Sequence, residues 1–378
     1  MANLKKNTIF LKLLKFSLLS CLLIFLTFLI AEYFYRYAEN WRSKIDFRTM
    51  LFQKGDNFKN IKSFFLYHPN KEIRSVTLYS KKIPKNIKDI LLEYDYIIKT
   101  NNAGLVMSEK INNGDKVFLI IGDSFTEGQG ADPWFYDFEK NSSLKIKPVN
   151  LGILGTGPIQ WLELTNYIVK TYNLKVQGII VNLILPDLDR GMWNFNQFQI
   201  SCLKTAECPY RGDFQGFDFE KYEYKNEEDL KKYILSRSFL PLPSHLNENI
   251  DEKSYTKKLL KKSKIYSELL APLKYQYIDD DSVYQRNIAA LEKLILISNH
   301  KIFINIINTK DHATIMMYEK NQTYKKFLKF LEKEKIKYKW CWLNQDYFYK
   351  HDVHPNKIGY QHLSSCTLDA SLNLLSNK

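Results

Sequence analysis

Cysteine is scarce, five in 378 residues, and none sits in a Cys-x-x-Cys pair or at a cysteine–histidine spacing that suggests zinc. A chain of this length buries a substantial apolar core unaided, so its stability places no demand on metals or disulfides. Internal repeats and low-complexity linkers are absent, which argues against a repeat array or a string of tethered modules. Blocks of like charge are missing too. The formal net charge is +14, but the lysines are spread among acidic neighbours, as in Glu332-Lys333-Glu334-Lys335. That pattern fits a solvated basic surface better than a groove for nucleic acid. What remains is ordinary globular composition, 45% hydrophobic and 25% charged with a high aromatic share of 15%, and it excludes disorder as the default.

The one long hydrophobic run lies at the N-terminus. Lys5, Lys6, Lys12 and Lys15 precede FSLLSCLLIFLTFLIA, Phe16 to Ala31, which continues through Tyr33, Phe34 and Tyr35. Basic residues ahead of an apolar stretch orient it with its N-terminus in the cytosol. The run is slightly short of the roughly 20 residues of a span, but Lys12 and Lys15 can snorkel and the Tyr/Phe group can sit at the far interface. No small-residue cleavage site follows, where the sequence reads Glu32-Tyr33-Phe34-Tyr35-Arg36. The run also continues ten residues past Cys21, where a lipoprotein would turn polar. The expectation is a short basic cytoplasmic segment at 1–15, a single-pass transmembrane signal anchor at 16–36, and a body outside the cytosol, periplasmic or extracellular. There Cys202 with Cys208, or Cys341 with Cys366, could oxidise, and free buried thiols are an equal alternative for Cys341 and Cys366.

Residues 37–111 mix short apolar runs with lysines and have no helical period, so they read as a juxtamembrane segment of strands and loops. From Lys116 the pattern becomes VFLIIGDSFTEG, a continuous apolar strand ending in a glycine turn, as a buried parallel strand begins an α/β domain. A strand before Asn150 and Gly152, a helix at Trp161 to Lys170 and the strand GIIVNLIL continue the alternation. It resumes with a helix at Tyr284 to Ser298, the strand KIFINIIN, a helix at Tyr324 to Glu334, a short strand at Tyr338 to Leu343 and a closing helix. Strand, helix, strand repeated predicts a doubly wound parallel sheet over 112–378. An insertion at about 187–281 breaks it, with SCLKTAEC, SFLPLPSH and a lysine-rich helix near Lys257 to Lys264, and would lie over the sheet edge or the mouth of the site.

Gly122-Asp123-Ser124-Phe125-Thr126-Glu127-Gly128 falls where a buried strand turns into a helix, placing Ser124 at the carboxyl edge of the sheet where open α/β folds bind ligands. Thr126 rules out the Gly-x-Ser-x-Gly elbow. Alone, a serine here reads as a helix N-cap. Near the other end, Asp352-Val353-His354-Pro355-Asn356 sets a carboxylate two residues from an imidazole in a loop before the last helix. An imidazole needs a fixed partner on one nitrogen to accept a proton on the other, and a neighbouring Asp can be that partner.

Taken together, GDSFTEG, VNLGILGTGP (Val149 to Pro158) and DVHPN resemble, in order, the first, glycine and last blocks of the SGNH/GDSL hydrolase superfamily. IIKTNNAGLVMSEK, Ile97 to Lys110, is similar to the lead-in of its membrane-anchored bacterial members. The likeness covers roughly residue 90 onward, apart from the insertion. It implies a three-layer α/β/α flavodoxin-like domain in which Ser124 attacks an ester carbonyl, His354 is the base and Asp352 orients it. The N–H groups of Ser124 and Gly155 would form the oxyanion hole, with Gly152 the next candidate. No cofactor and no metal are implied. One departure stands out: the family's third block ends in Asn-Asp, its Asn an oxyanion donor, where this chain reads Leu185-Pro186-Asp187-Leu188-Asp189-Arg190. Proline has no donor, and Asn182 lies four residues earlier, about 13 Å away along a strand. Asn194 and Asn196, just beyond, are the candidates to swing in from the insertion.

The other candidates have plainer readings. His351 could replace His354 but fits a loop residue better, and His362 belongs to the final helix. Asp187, Asp189 and Glu127 imitate a metal cluster, yet no His or Cys joins them at a ligand spacing. The function expected is therefore ester chemistry at a bacterial cell envelope, hydrolysis or transfer of a small acyl group such as acetyl on a polysaccharide or glycan, with no nucleic-acid partner. The alternatives are a lipid esterase, or a non-catalytic glycan-binding or assembly module that keeps the SGNH shell, which Pro186 keeps open.

Overall fold

The computed structural model describes residues 2–38, 45–53, 57–61, 64–81, 84–131, 133–141, 144–190, 219–222, 226–237, 281–310, 318–319 and 321–376. Two compact units result. The described part of the first is helix α1, Ala2–Ala38. Its stretch Lys15–Tyr33 has a mean hydropathy of 2.1, and Phe16, Leu23 and Phe25 are exposed. At about 1.5 Å per residue it measures about 28 Å, close to the hydrocarbon thickness of a bilayer. By length and composition it can cross a membrane.

The second unit is the body. Its strands are β1 (Ile45–Gln53), β2 (Phe58–Ile61), β3 (Phe64–Tyr67), β4 (Glu72–Lys81), β5 (Ile90–Lys99), β6 (Lys116–Gly122), β7 (Lys147–Gly152), β8 (Lys175–Ile184), β9 (Phe219–Tyr222), β10 (Ile302–Ile307) and β11 (Lys337–Cys341). The helices are α2 (Ser124–Glu127), α3 (Phe135–Asn141), α4 (Pro158–Thr171), α5 (Glu227–Arg237), α6 (Asp281–Ile297), α7 (Gln322–Lys333) and α8 (Lys357–Ser376).

The central sheet runs β11-β10-β8-β6-β7, with every neighbouring pair parallel. Val117 to Gly122 of β6 and all six residues of β10 are buried, because a central parallel strand is covered on both faces. In order of appearance this is the 2-1-3-4-5 winding of a flavodoxin-like sheet, whose switch point lies between β6 and β8. Right-handed crossovers place α4, α6 and α7 on one face, where α4 packs on α6. On the opposite face α8 lies over β8, β10 and β11. Two buried asparagines of this sheet join that helix: Asn305 Nδ2 donates to Asn182 Oδ1 at 2.9 Å and Asn182 Nδ2 to Thr367 Oγ1 at 3.3 Å. The doubly wound architecture read from the sequence is the one observed.

Residues 45–99 add a second sheet, ordered β5-β4-β1-β9. β1, β4 and β5 pair antiparallel, and β9, from within the insertion, pairs parallel with β1. Alternation divides its faces. Leu51, Val76, Leu78 and Ile90 meet Leu230 and Ile234 of α5, so the described part of the insertion covers this outer face. Met50, Phe52, Tyr94, Tyr96 and Ile98 join the core of the central sheet.

Cys341 on β11 and Cys366 on α8 are joined by a disulfide with Cα atoms 5.9 Å apart; Cys202 and Cys208 lie outside the described residues. A bridge over 25 residues restricts the unfolded chain by about 3 kcal/mol. Cys341→Ser/Cys366→Ser is expected to lose 2–4 kcal/mol of stability in urea unfolding, roughly that amount.

Candidate active site

The strand β6 ends at the switch point and α2 starts there. Asp123 takes the cap, its Oδ1 accepting from the Phe125 N–H at 2.9 Å, so the serine is not the N-cap and its hydroxyl is left for another partner. That partner is His354, 230 residues away, whose Nε2 lies 2.9 Å from Ser124 Oγ. The other ring nitrogen, Nδ1, is hydrogen-bonded to Asp352 Oδ1, which also accepts the His354 backbone N–H at 3.0 Å. With Nδ1–H donating to the carboxylate, Nε2 is the acceptor for the serine hydroxyl. Phe125 stacks obliquely by the imidazole, ring centres 5.6 Å apart. All three polar residues are buried.

Asp352 is held on its other oxygen as well. Oδ2 accepts from Arg48 Nε at 2.8 Å, Tyr79 OH at 2.9 Å and Tyr94 OH at 3.3 Å. Burial opposes ionisation of this carboxyl, but His354 and then Arg48 outweigh it and hold it well below the usual carboxylate range. Burial pushes the Tyr94 hydroxyl up to about 12, and burial with the adjacent Asp352 charge raises Tyr79 too, so both stay protonated donors. None of these three residues stands out in the sequence as a site residue.

The glycine block supplies backbone donors. Gly155 adopts φ +70°, a left-handed conformation that favours glycine. Among the described residues neither the Gly155 N–H nor the Ser124 N–H donates to a protein acceptor. The Gly152 N–H is spent on Asn150 Oδ1 at 2.8 Å, which leaves Gly155 as the better of the two glycine candidates. Gly152 serves packing instead: a Cβ there would fall 2.3 Å from the Glu127 nitrogen, with backbone unable to yield. Gly152→Ala is expected to cost at least about 2 kcal/mol in urea denaturation and to disturb the turn that carries Ser124.

Glu127, buried, accepts from Tyr67 OH at 2.6 Å and from the Leu154 N–H, tying α2 to the residue before Gly155. Burial, partly offset by those two donors, raises its carboxyl to about 7. A raised value means that folding favours the protonated form. The stability it contributes is complete below the ordinary carboxylate range and is lost as pH rises through about 7. Glu127→Gln is therefore expected to remove about 2–3 kcal/mol of the stability difference between pH 5 and pH 8, measured by denaturant unfolding of both proteins.

At the third block, Leu185–Asp189 form a 3₁₀ turn in which Pro186 is exposed. Asn182 is committed to Asn305 and Thr367, and Asn194 and Asn196 lie outside the described residues. Arg190 closes the turn: its Nη1 reaches Asp123 Oδ2 at 2.9 Å, Asp187 Oδ1 at 2.8 Å and the Thr156 carbonyl at 3.1 Å. It thereby joins the serine turn, the glycine block and the base of the insertion, and it lines a cavity of about 400 Å³ with Leu185, Asp189, Tyr318 and Thr323. Asp187 and Glu127 thus have separate partners rather than a shared centre. His351 faces Tyr79, with ring centres 6.0 Å apart, not Ser124. His362 lies beside Cys341 and Cys366, whose sulfurs are spent on each other.

This is a serine–histidine–aspartate constellation at the switch point of a flavodoxin-like sheet. No protein-family model and no curated protein matches the sequence. Solved structures similar to the chain include an acetylxylan esterase from Geobacillus stearothermophilus, 13% identical over 69% of this chain and 96% of that one, with a TM-score of 0.32. A member of the lipolytic protein G-D-S-L family from Veillonella parvula is 10% identical over 70% and 100%, TM-score 0.31. A GDSL-like lipase from Bacteroides thetaiotaomicron is 12% identical over 68% and 89%, TM-score 0.28.

Proposed function

We propose that this protein is a serine esterase or acyltransferase of the SGNH/GDSL type. The observation that carries the reading is the Ser124–His354–Asp352 relay set beside two unspent N–H groups, of Ser124 and Gly155. Ser124 Oγ attacks the ester carbonyl carbon while His354 Nε2 takes its proton. The tetrahedral oxyanion is stabilised by the two N–H groups, each worth about 10²- to 10³-fold. Collapse breaks the bond to the leaving alcohol, which receives the proton from Nε2, and leaves an acyl-Ser124. Water, or a second alcohol, then enters by the reverse of these steps.

The setting is the cell envelope, with α1 as a single-pass anchor and the body periplasmic or extracellular. Lysines ahead of the apolar stretch support that orientation, and the Cys341–Cys366 disulfide suits an oxidising compartment. The substrate class is an O-acyl ester, acetyl foremost, of a polysaccharide or glycan, with aromatic richness suited to sugar stacking. A lipid ester is the second candidate. The test is hydrolysis of p-nitrophenyl acetate by the full chain in detergent, beside labelling of Ser124 by a fluorophosphonate and release of acetate from acetylated oligosaccharide or of fatty acid from a lipid ester. Absence of both turnover and labelling in the folded protein would favour the non-catalytic glycan-binding or assembly reading, which rests on Pro186.

A further inference from the structure

We infer that Arg48 is a positioning residue of the triad: together with Tyr79 and Tyr94 it fixes the outer oxygen of Asp352 and so keeps the His354 ring aimed at Ser124. This rests on the esterase reading of the site and extends the working apparatus into the antiparallel sheet, beyond the three family blocks.

The geometry divides the Asp352 carboxylate between two clients. Among the described residues Oδ1 serves His354 alone, through ring and backbone. Oδ2 there serves the sheet alone, with Arg48 from β1, Tyr79 from β4 and Tyr94 from β5. Tyr94 OH also accepts from Arg48 Nη2 at 3.0 Å and from Gln129 Nε2 at 2.8 Å, so its single hydrogen is directed at Asp352. With both oxygens engaged, the carboxylate cannot rotate, and the imidazole it holds stays aimed at Ser124.

Arg48 also brings what the tyrosines lack, a positive charge on the carboxylate, and a charge-assisted bond holds Oδ2 more firmly than a neutral one. Other charged and titratable groups lie around the pair among the described residues. Lys310 Nζ binds the carbonyls of Tyr349, Lys350 and Asp352. Glu93 on β5 accepts the His351 backbone N–H, His351 itself faces Tyr79, and Asp123 beside Ser124 is paired with Arg190. Arg48 is thus the one Lys or Arg side chain hydrogen-bonded to the Asp352 carboxylate among the described residues. Its partial exposure, 35%, means that solvent weakens this effect without abolishing it.

The experiment uses the full chain in detergent and reads two quantities in wild type, Arg48→Met, Arg48→Gln and Arg48→Lys: the rate of fluorophosphonate labelling at Ser124 per folded molecule, with kcat and KM toward p-nitrophenyl acetate beside it, and the downfield Nδ1–H proton resonance of His354, assigned by its loss in His354→Gln. Removing the guanidinium is expected to slow labelling and lower kcat by about tenfold or more with KM little changed, and to shift or broaden the Nδ1–H resonance, in Met and Gln alike, with Lys recovering most of both. A folded Met or Gln variant whose labelling rate, kcat and Nδ1–H resonance coincide with wild type, and which is only less stable, would overturn the inference and leave Arg48 as a tie between sheet and body. The two readouts separate this from the esterase reading: a wild type that never labels sinks the enzyme, while the His354 Nδ1–H resonance still decides what Arg48 does.

Discussion

Ser124→Ala is expected to lower kcat toward p-nitrophenyl acetate by about 10⁴-fold or more and to abolish fluorophosphonate labelling, with His354→Ala falling equally far. The double variant should be no worse than either single one. Ser124 and His354 share one 2.9 Å hydrogen bond, so under the proposed mechanism deleting either removes the whole proton-transfer step, and the second deletion has nothing left to take away. Folding should survive, since among the described residues the serine hydroxyl is hydrogen-bonded, besides His354, only to Asp123 Oδ2, at 3.4 Å. Initial rates of the four proteins, with melting temperatures as a control, make the test. Losses that multiply, or an alanine variant retaining a tenth of the activity, would point to a different nucleophile.

Asp352→Asn is expected to be nearly as damaging, about 10³- to 10⁴-fold in kcat. Asparagine fits the same space, but its amide and the His354 Nδ1–H would meet as two donors. The ring would then expose a protonated nitrogen to Ser124 in place of a lone pair. On the sheet side, Arg48 would keep Tyr94 and lose its counter-ion, a loss that its partial exposure softens. Saturation kinetics should therefore show kcat collapsing with KM little changed, because the aspartate touches no substrate. A large rise in KM with kcat preserved would contradict the role given to Asp352.

Much of this was legible because the signals are local. Buried parallel strands announce themselves as apolar runs, in VFLIIG and IFINII alike, and the Asp352–His354 pair is two residues apart. Ser124 is readable from the strand-to-helix turn, although the cap belongs to Asp123, which the tripeptide alone does not reveal. Choosing between Gly152 and Gly155 required knowing where the Asn150 side chain goes. The Cys341–Cys366 pairing turns on how α8 crosses the edge of the sheet, a matter of tertiary packing. Arg48, Tyr79 and Tyr94 were out of reach for another reason. They sit at alternate positions of strands that look like any amphipathic strand, in a chain with 25 tyrosines, and their partner is 304, 273 and 258 residues further on. Arg190 carried a faint signal, the i,i+3 spacing to Asp187, that says nothing of Asp123.

The parallel pairing of β9 with β1 also governs the order in which the molecule can be finished. Arg48 leaves the ribosome early, yet its strand waits for residues 219–222 to gain its second neighbour, and the arginine waits 304 residues for Asp352. At 5–20 residues per second that second interval is roughly 15–60 s, long against the formation of a hairpin. During it, β1, β4 and β5 can close into a hydrogen-bonded meander whose arginine and two tyrosines face water. The loop at Asp352, with α8 behind it, is then the piece that converts this waiting surface into a clamp, so the nascent protein acquires its Ser124–His354 contact and its clamp in a single closing event.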